Sequence, residues 1–278
     1  MKKIIYILLV TLSFTSCTDV IDVDVPIAEP RLVIEASIDW EKNTIGNEQL
    51  IKLSLSTPYF DENNIPMVTG ADVRVINENT NDVFIFDDQN DGTYSTNTFI
   101  PILNNTYRLE VIENGETYIA HETMTSVSDI DDIYQSTENG FDEDALEVNV
   151  QYTDVANIEN FYLFKFQKVG DLLPDLIDMA DEFTDGNQIT MFYERLEDED
   201  INQVEFAPGD VVDIHFYGIS KQYHRFMQLL ISQNESGGPF SATPVALKGN
   251  CTNPNNPDNY AFGYFRCSEV VIDSYTFQ

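Results

Sequence analysis

From Arg31 onward the chain alternates apolar and polar positions with a period of two. Leu32, Ile34, Ala36 and Ile38 alternate with Val33, Glu35, Ser37 and Asp39, and Ile51, Leu53 and Leu55 with Lys52, Ser54 and Ser56. Shorter runs follow at Val73 and Val75, Val83 to Phe86, Tyr107 to Val111, and Tyr118 with Ala120. Such alternation predicts strands with one buried face. Turn residues separate the runs, among them Asp91-Gly92 and Asn114-Gly115. The second pair sits between two alternating runs and predicts a tight hairpin. About seven short strands in some hundred residues, with no helical period, predict an immunoglobulin-like β-sandwich over residues 30–127.

Ser128 to Ile133 reads as a junction to a second β-rich domain, residues 128–278. There Val148, Val150 and Tyr152, then Tyr162, Phe164 and Phe166, then Val212, Ile214 and Phe216 alternate again, and a last strand runs from Val270 to Phe277. Leu172 to Asp185 is irregular and acidic and reads as a loop or a helical turn. One amphipathic helix is predicted near residues 220–233. Ser220 is its N-cap, and Tyr223, Phe226, Met227, Leu230 and Ile231 recur at helical spacing. Gly237-Gly238-Pro239 reads as a chain reversal beyond the helix.

The first residues have a different character. Lys2 and Lys3 precede an apolar stretch, Ile4 to Leu12, that is too short for a stable membrane span. Phe14-Thr15-Ser16-Cys17 then resembles a lipobox. Residues 1–16 are accordingly expected to be a lipoprotein signal peptide, and Cys17 the lipidated first residue of the mature chain. Several acyl chains on one residue make a stable anchor. Residues 17–29 are acidic and punctuated by proline, as a tether would be. Of three cysteines, this assignment leaves Cys251 and Cys267, for which a disulfide is expected in an oxidising compartment, with two buried thiols as the alternative. Isolated from histidine and further cysteine, the pair is a poor metal site.

Charge narrows the range of partners. Fourteen Lys and Arg against 48 Asp and Glu give a net charge of −34, with a pI near 4.1. A chain this acidic repels phosphate backbones and anionic headgroups, which argues against nucleic-acid binding and a polybasic membrane contact. The acidity reads mainly as a well-solvated surface, with a cation sink as the lesser alternative. Three histidines, His121, His215 and His224, occur in no metalloprotease or nucleophile motif. Asp87 to Gly92 approaches a calcium loop, but Gln89 and Thr98 stand where carboxylates are required, and a hairpin turn accounts for it better. Glu197 to Asp200 reads as a solvated run. No catalytic residue, cofactor or metal ligand is assigned. Aromatic pairs in loops are the remaining candidates: Tyr59 and Phe60, and Tyr260 with Phe262, are the candidate partner-docking residues, with burial in their own cores as the competing role.

Gly237-Gly238-Pro239-Phe240-Ser241, Gly249-Asn250-Cys251 and Phe262-Gly263-Tyr264-Phe265 together resemble the closing signature of a Bacteroidota family of outer-membrane lipoproteins, the domain of unknown function 4249 family. The lipobox, the acidic tether, Leu32 to Ala36 and Gly92-Thr93-Tyr94 are similar as well. The resemblance implies an extracytoplasmic two-domain β protein, anchored to the outer membrane and exposed at the cell surface, with the periplasmic face as the alternative. It implies a β-barrel partner of the TonB-dependent receptor type. The expected function is thus non-enzymatic, as an accessory in ligand capture or uptake. A structural subunit of an outer-membrane assembly or secretion complex, or a stand-alone glycan- or Ca²⁺-binding module, are the alternatives.

Overall fold

The computed structural model describes residues 29–58, 65–181, 186–198, 203–234 and 247–278. The signal peptide, Cys17, the tether up to residue 28, Tyr59, Phe60 and Gly237 to Pro239 lie outside the described residues. Among the described residues there are fourteen strands and one helix. In the first half these are β1 (Leu32–Glu41), β2 (Gln49–Leu55), β3 (Asp72–Asn77), β4 (Val83–Asp88), β5 (Thr93–Thr96), β6 (Thr106–Glu113) and β7 (Glu116–Thr123).

These strands form the expected sandwich. The sheet β1-β2-β5 packs on β4-β3-β6-β7, and hydrogen bonding continues from one to the other through a short β4–β5 pairing. Alternation decides which side chains meet. Ile34, Ile38, Ile51 and Leu53 from one sheet and Val75, Phe84, Leu109 and Val111 from the other fill a single core. The β6–β7 turn is Asn114-Gly115, with φ of +48° and +82°. Both residues therefore occupy the left-handed region a two-residue hairpin requires.

The second half adds β8 (Ile130–Ser136), β9 (Glu147–Thr153), β10 (Phe161–Lys168), β11 (Asp175–Ala180), β12 (Gln188–Glu194), β13 (Val211–Ile219), α1 (Lys221–Asn234) and β14 (Phe262–Thr276). The sheet β11-β10-β13-β14 faces the three-stranded sheet β12-β9-β8. Their core is aromatic: Phe216 stands 4.4 Å from Phe164 and 4.7 Å from Tyr152, ring to ring. The opposite face of β10 and β13 carries Phe161, Leu163, Tyr217 and Ile219, and α1 covers it with Tyr223, Phe226 and Met227. Ser220 caps α1, its Oγ accepting the Tyr223 N–H at 3.1 Å.

Several elements depart from expectation. Ile130 to Ser136 is a strand rather than a junction, its period broken by an irregularity between Ile130 and Asp132. Asp175 to Ala180 is also a strand. It is an edge strand, with Ile177 and Met179 turned to the aromatic core and Leu176 and Ala180 to the helix side. The final strand begins at Phe262 rather than Val270. Its first nine residues run parallel to β1, pairing Val33 with Phe262 through Glu41 with Val270. Its remainder pairs antiparallel with β13. One strand therefore belongs to both sandwiches, and Cys251, Ala261, Phe265 and Cys267 lie in the first core. A division at Val127 does not separate the two cores.

Candidate docking surfaces and the interdomain joint

The first candidate surface is the end of the first sandwich where the described chain begins. Arg31 organises it. Its backbone N–H donates to Ser56 Oγ at 3.0 Å, and its guanidinium donates to the carbonyls of Asp258 (2.8 Å) and Tyr260 (3.4 Å). Ser56 lies three residues before Tyr59. Both loops proposed from sequence as docking elements therefore start from this one arginine. The Tyr260 ring lies under two cations, with the Arg31 guanidinium carbon at 4.3 Å and Lys248 Nζ at 4.2 Å from its centroid. Phe262 meets it edge-on at 5.6 Å. Tyr260 and Phe262 are both half-buried, whereas Tyr264 and Phe265, close by in the same segment, are buried. Tyr260 thus presents a ring pinned by cation–π contacts at a wet boundary.

The expected Cys251–Cys267 disulfide is not formed. Both are free, buried thiols. Asn250 explains the placement of Cys251: its side chain donates to the Phe265 carbonyl and accepts the Phe265 N–H, each at 2.8 Å. That clamp sets Cys251 beside Phe265, while Cys267 sits two residues further along β14. Burial pushes the Cys251 thiol up to about 12 and the Cys267 thiol well above its ordinary value. Thiols held neutral in this way are inert. The segment between them is largely exposed from Thr252 to Asp258, and Thr252 forms a bridge to Ile119 of β7.

Where the two sandwiches meet, polar groups are buried and several are paired, although Arg266 Nε and Nη1 and Ser268 Oγ have no hydrogen-bond partner. Glu122, on β7, accepts from Ser220 Oγ (2.9 Å) and Tyr264 Oη (3.4 Å), and burial raises its carboxyl above the usual carboxylate range. The buried Arg266 guanidinium pairs with Asp39 at 2.6 Å and lies 4.4 Å from the Tyr217 ring centroid. Glu269 accepts the Val127 N–H at 3.0 Å. Gly218 packs directly on the linker, since a Cβ there would lie 1.9 Å from the Ser126 carbonyl oxygen. These contacts fix the joint, and none of them opens into an enclosed pocket.

The remaining polar candidates are spent on local structure. Asp87 to Gly92 is the β4–β5 turn, closed by the Gln89 N–H on the Thr93 carbonyl at 2.9 Å, with Asp91 accepting from Thr93. His121, His215 and His224 pair with Glu78 (3.1 Å), the Tyr217 hydroxyl (3.1 Å) and Asp178 (2.9 Å) in three separate places. A shallow trough of about 860 Å³ crosses the outer face of β1-β2-β5, lined by Glu35, Asp39, Glu48, Asp87 and Lys52. Among the described residues no group of three His, Cys, Asp or Glu side chains is placed to hold a metal ion. Nor does any described helix have the length and apolarity to cross a membrane. Sequence reasoning missed the most exposed large apolar side chains among the described residues, Phe141, Leu172 and Leu173. The one local signal was a Leu-Leu pair enclosed by Gly170-Asp171 and Pro174, an apolar dipeptide at a turn.

Two β-sandwiches fused through one shared strand, with polar groups spent on structure and aromatics at loop ends, define a β-rich protein of the immunoglobulin-like class. The chain belongs to the family described as Domain of unknown function (DUF4249), whose model matches residues 18–272. No curated protein matches it. Three solved structures resemble it distantly. A two fibronectin type-III domain segment from chicken tenascin is 10% identical, covering 68% of this chain and 90% of its own, at a TM-score of 0.22. A DUF4785 family protein from Legionella pneumophila is 13% identical over 67% of this chain and 52% of its own, at 0.27. A chain of a cytokine receptor complex is 7% identical over 69% and 86%, at 0.25.

Proposed function

We propose that the chain is a non-enzymatic, lipid-anchored outer-membrane protein. In this reading it serves a β-barrel of the TonB-dependent receptor type, in ligand capture or uptake, and meets the barrel with the tether end of its first sandwich. The observation that carries this reading is the convergence at Arg31. The start of the described chain, the approach to Tyr59 and Phe60, and the Tyr260 loop are joined there by three hydrogen bonds. Glu29 is twelve residues from Cys17, so a fully extended tether spans at most about 40 Å. An anchored Cys17 would hold this end, rather than the second sandwich, near the membrane plane. Aromatic rings at the rim of an otherwise acidic surface supply the desolvated centre a protein contact needs.

The test is extraction of the lipidated, tagged protein in mild detergent, followed by mass spectrometry of what co-purifies. A barrel protein is expected at near-stoichiometric yield. Tyr260→Ala combined with Tyr59→Ala and Phe60→Ala should reduce that yield several-fold at an unchanged thermal midpoint. A preparation containing no barrel protein overturns the reading.

A further inference from the structure

The second sandwich has an open side. β12 is the edge of its three-stranded sheet, and no strand of the described residues pairs with its outer edge. β11, the edge of the facing sheet, lies beside it, tied by a hydrogen bond from the Tyr193 hydroxyl to the Asp175 carboxylate. Between these edges runs an apolar groove of about 490 Å³, lined chiefly by Ile177, Met191, Phe192, Leu196 and Phe141.

Phe141 is 86% exposed and meets Phe192 edge-on at 6.0 Å. Its position is built rather than incidental. The Glu194 carboxylate accepts the N–H groups of Phe141 (2.8 Å) and Asp142 (3.0 Å). Gly140 makes room for that clamp, since a Cβ there would stand 2.5 Å from the carboxylate. The β10–β11 tip adds Leu172 and Leu173, 95% and 80% exposed, and an Arg195–Asp171 ion pair of 3.0 Å holds the tip to the chain leaving β12. Carboxylates border this apolar surface: Glu194 lines the groove and holds Asp142, and the exposed Glu143, Asp144 and Glu197 follow Asp142 and the groove-lining Leu196 directly along the chain. The neighbouring cations are committed, Arg195 to Asp171 and Lys168 to Asp210 (2.6 Å).

We propose that this groove receives an extended polypeptide segment of a partner protein. The segment adds as a strand along the free edge of β12, with alternating apolar side chains and Lys or Arg at its flanks. An unpaired edge offers a row of N–H and C=O groups to such a segment. Alternate side chains of an added strand point to opposite faces, which here are the Phe141–Phe192 side and the Ile177–Met191 side. The acidic rim selects basic flanks and repels acidic ones, a second copy of this chain included. The site lies far from the tether end. Lys168 is in register with Val212, and Val212 with Tyr275, so the tip is level with the far end of β14, about 45 Å along the strand from Phe262.

The probe is a ten-residue peptide of alternating Val and Thr with two Lys at each end, labelled for fluorescence anisotropy and titrated against the full mature chain. Two control peptides carry Glu flanks or a central Pro in place of one Val. We expect the Lys peptide to bind at least tenfold more tightly than either control, and the amides of Thr190 to Phe192 to gain protection from hydrogen exchange. Phe141→Ala with Leu172→Ala should weaken binding at least tenfold at an unchanged thermal midpoint, both side chains being exposed. The Pro peptide keeps the charge of the probe, so equal binding of the two means attraction to the net negative surface alone, and overturns strand addition. Unaltered binding by the double variant overturns the site. A concentration-dependent dimer dissolved by Phe141→Ala makes a second copy the occupant, and also overturns it.

Discussion

Phe216→Ala tests whether the two sandwiches unfold as one body. Phe216 lies on β13 in the second core, fully buried, with Phe164 stacked at 4.4 Å, Tyr152 at 4.7 Å and Tyr162 at 5.1 Å. Truncating a phenylalanine so enclosed costs about 3–5 kcal/mol. Trp40, the only tryptophan, lies on β1 and packs against the first core, so its fluorescence reports on the other sandwich. Between the two sites the chain is continuously bonded. Phe216 pairs with Val271, and Trp40 pairs with Glu269 on the same strand. Loss of the second core therefore removes the frame that holds β14 against β1. With a slope of about 2–3 kcal/mol per molar urea, the midpoint should fall by roughly 1–2.5 M. The fall should be the same by Trp40 fluorescence and by far-ultraviolet circular dichroism. An unchanged Trp40 midpoint beside an early step in circular dichroism would refute the coupling and make the sandwiches independent units joined by a linker.

Three further outcomes are expected. Unfolding without reductant should release both Cys251 and Cys267 to a thiol reagent that leaves them untouched in the native chain; two thiols appearing only on denaturation is the sign, and none would mean a disulfide. Glu122 is held above the ordinary carboxylate range chiefly by burial, so the folded state binds its proton more tightly than the unfolded state. Its contribution is thus greatest below about pH 4.3 and declines as pH rises toward the elevated folded value. Glu122→Gln, which keeps a partner for Ser220, should therefore gain stability relative to the parent as pH rises above about 4.3 in urea titrations, and a pH-independent difference would contradict the assignment. Cys17→Ala should move the chain from the membrane fraction to the soluble fraction in cells lacking the barrel partner, and retention there would remove the lipid anchor.

How much of this was legible in the sequence follows from how local each determinant is. The first sandwich could be read directly because each strand is half-buried, so Ile34, Ile51 or Leu109 alternates visibly with polar neighbours. The Asn114-Gly115 turn and the Ser220 cap are equally local, each determined within a few residues. β14 was half hidden. Its first nine residues are fixed by parallel pairing with β1, more than two hundred residues earlier, and Gly263, Arg266 and Glu269 interrupt the apolar pattern. Gly263 is needed because a Cβ there would stand 2.0 Å from the Ile34 carbonyl oxygen. β11 and β12 were missed for the reason that makes them interesting. Edge strands keep Asp and Thr among their apolar residues, which weakens the period while leaving a bonding edge open. Of the candidate docking residues, Tyr260 and Phe262 fall beside Arg31 where the described chain begins, but the placement of Phe141 depends on a carboxylate fifty-three residues away, which no window along the sequence contains.

The shared strand also determines what kind of device two docking surfaces would make. Tandem sandwiches joined by a linker usually swing, and a ligand at one end then learns little about the other. Here the joint is closed by the Glu122–Ser220 and Glu269–Val127 contacts and by the close approach of Gly218 to Ser126. A bending motion would have to break β14 out of one sheet or the other, losing several backbone hydrogen bonds and the burial of Phe265 or Phe277 together. Rigidity of this origin has a consequence for the two proposals jointly. A partner held at the tether end and a segment held at β12 would be kept about 45 Å apart along β14, so the chain would act as a spacer rather than a lid. Its second sandwich would present an acidic, strand-accepting edge at a fixed distance from the barrel, suited to holding a basic extended segment and unsuited to closing over a small molecule.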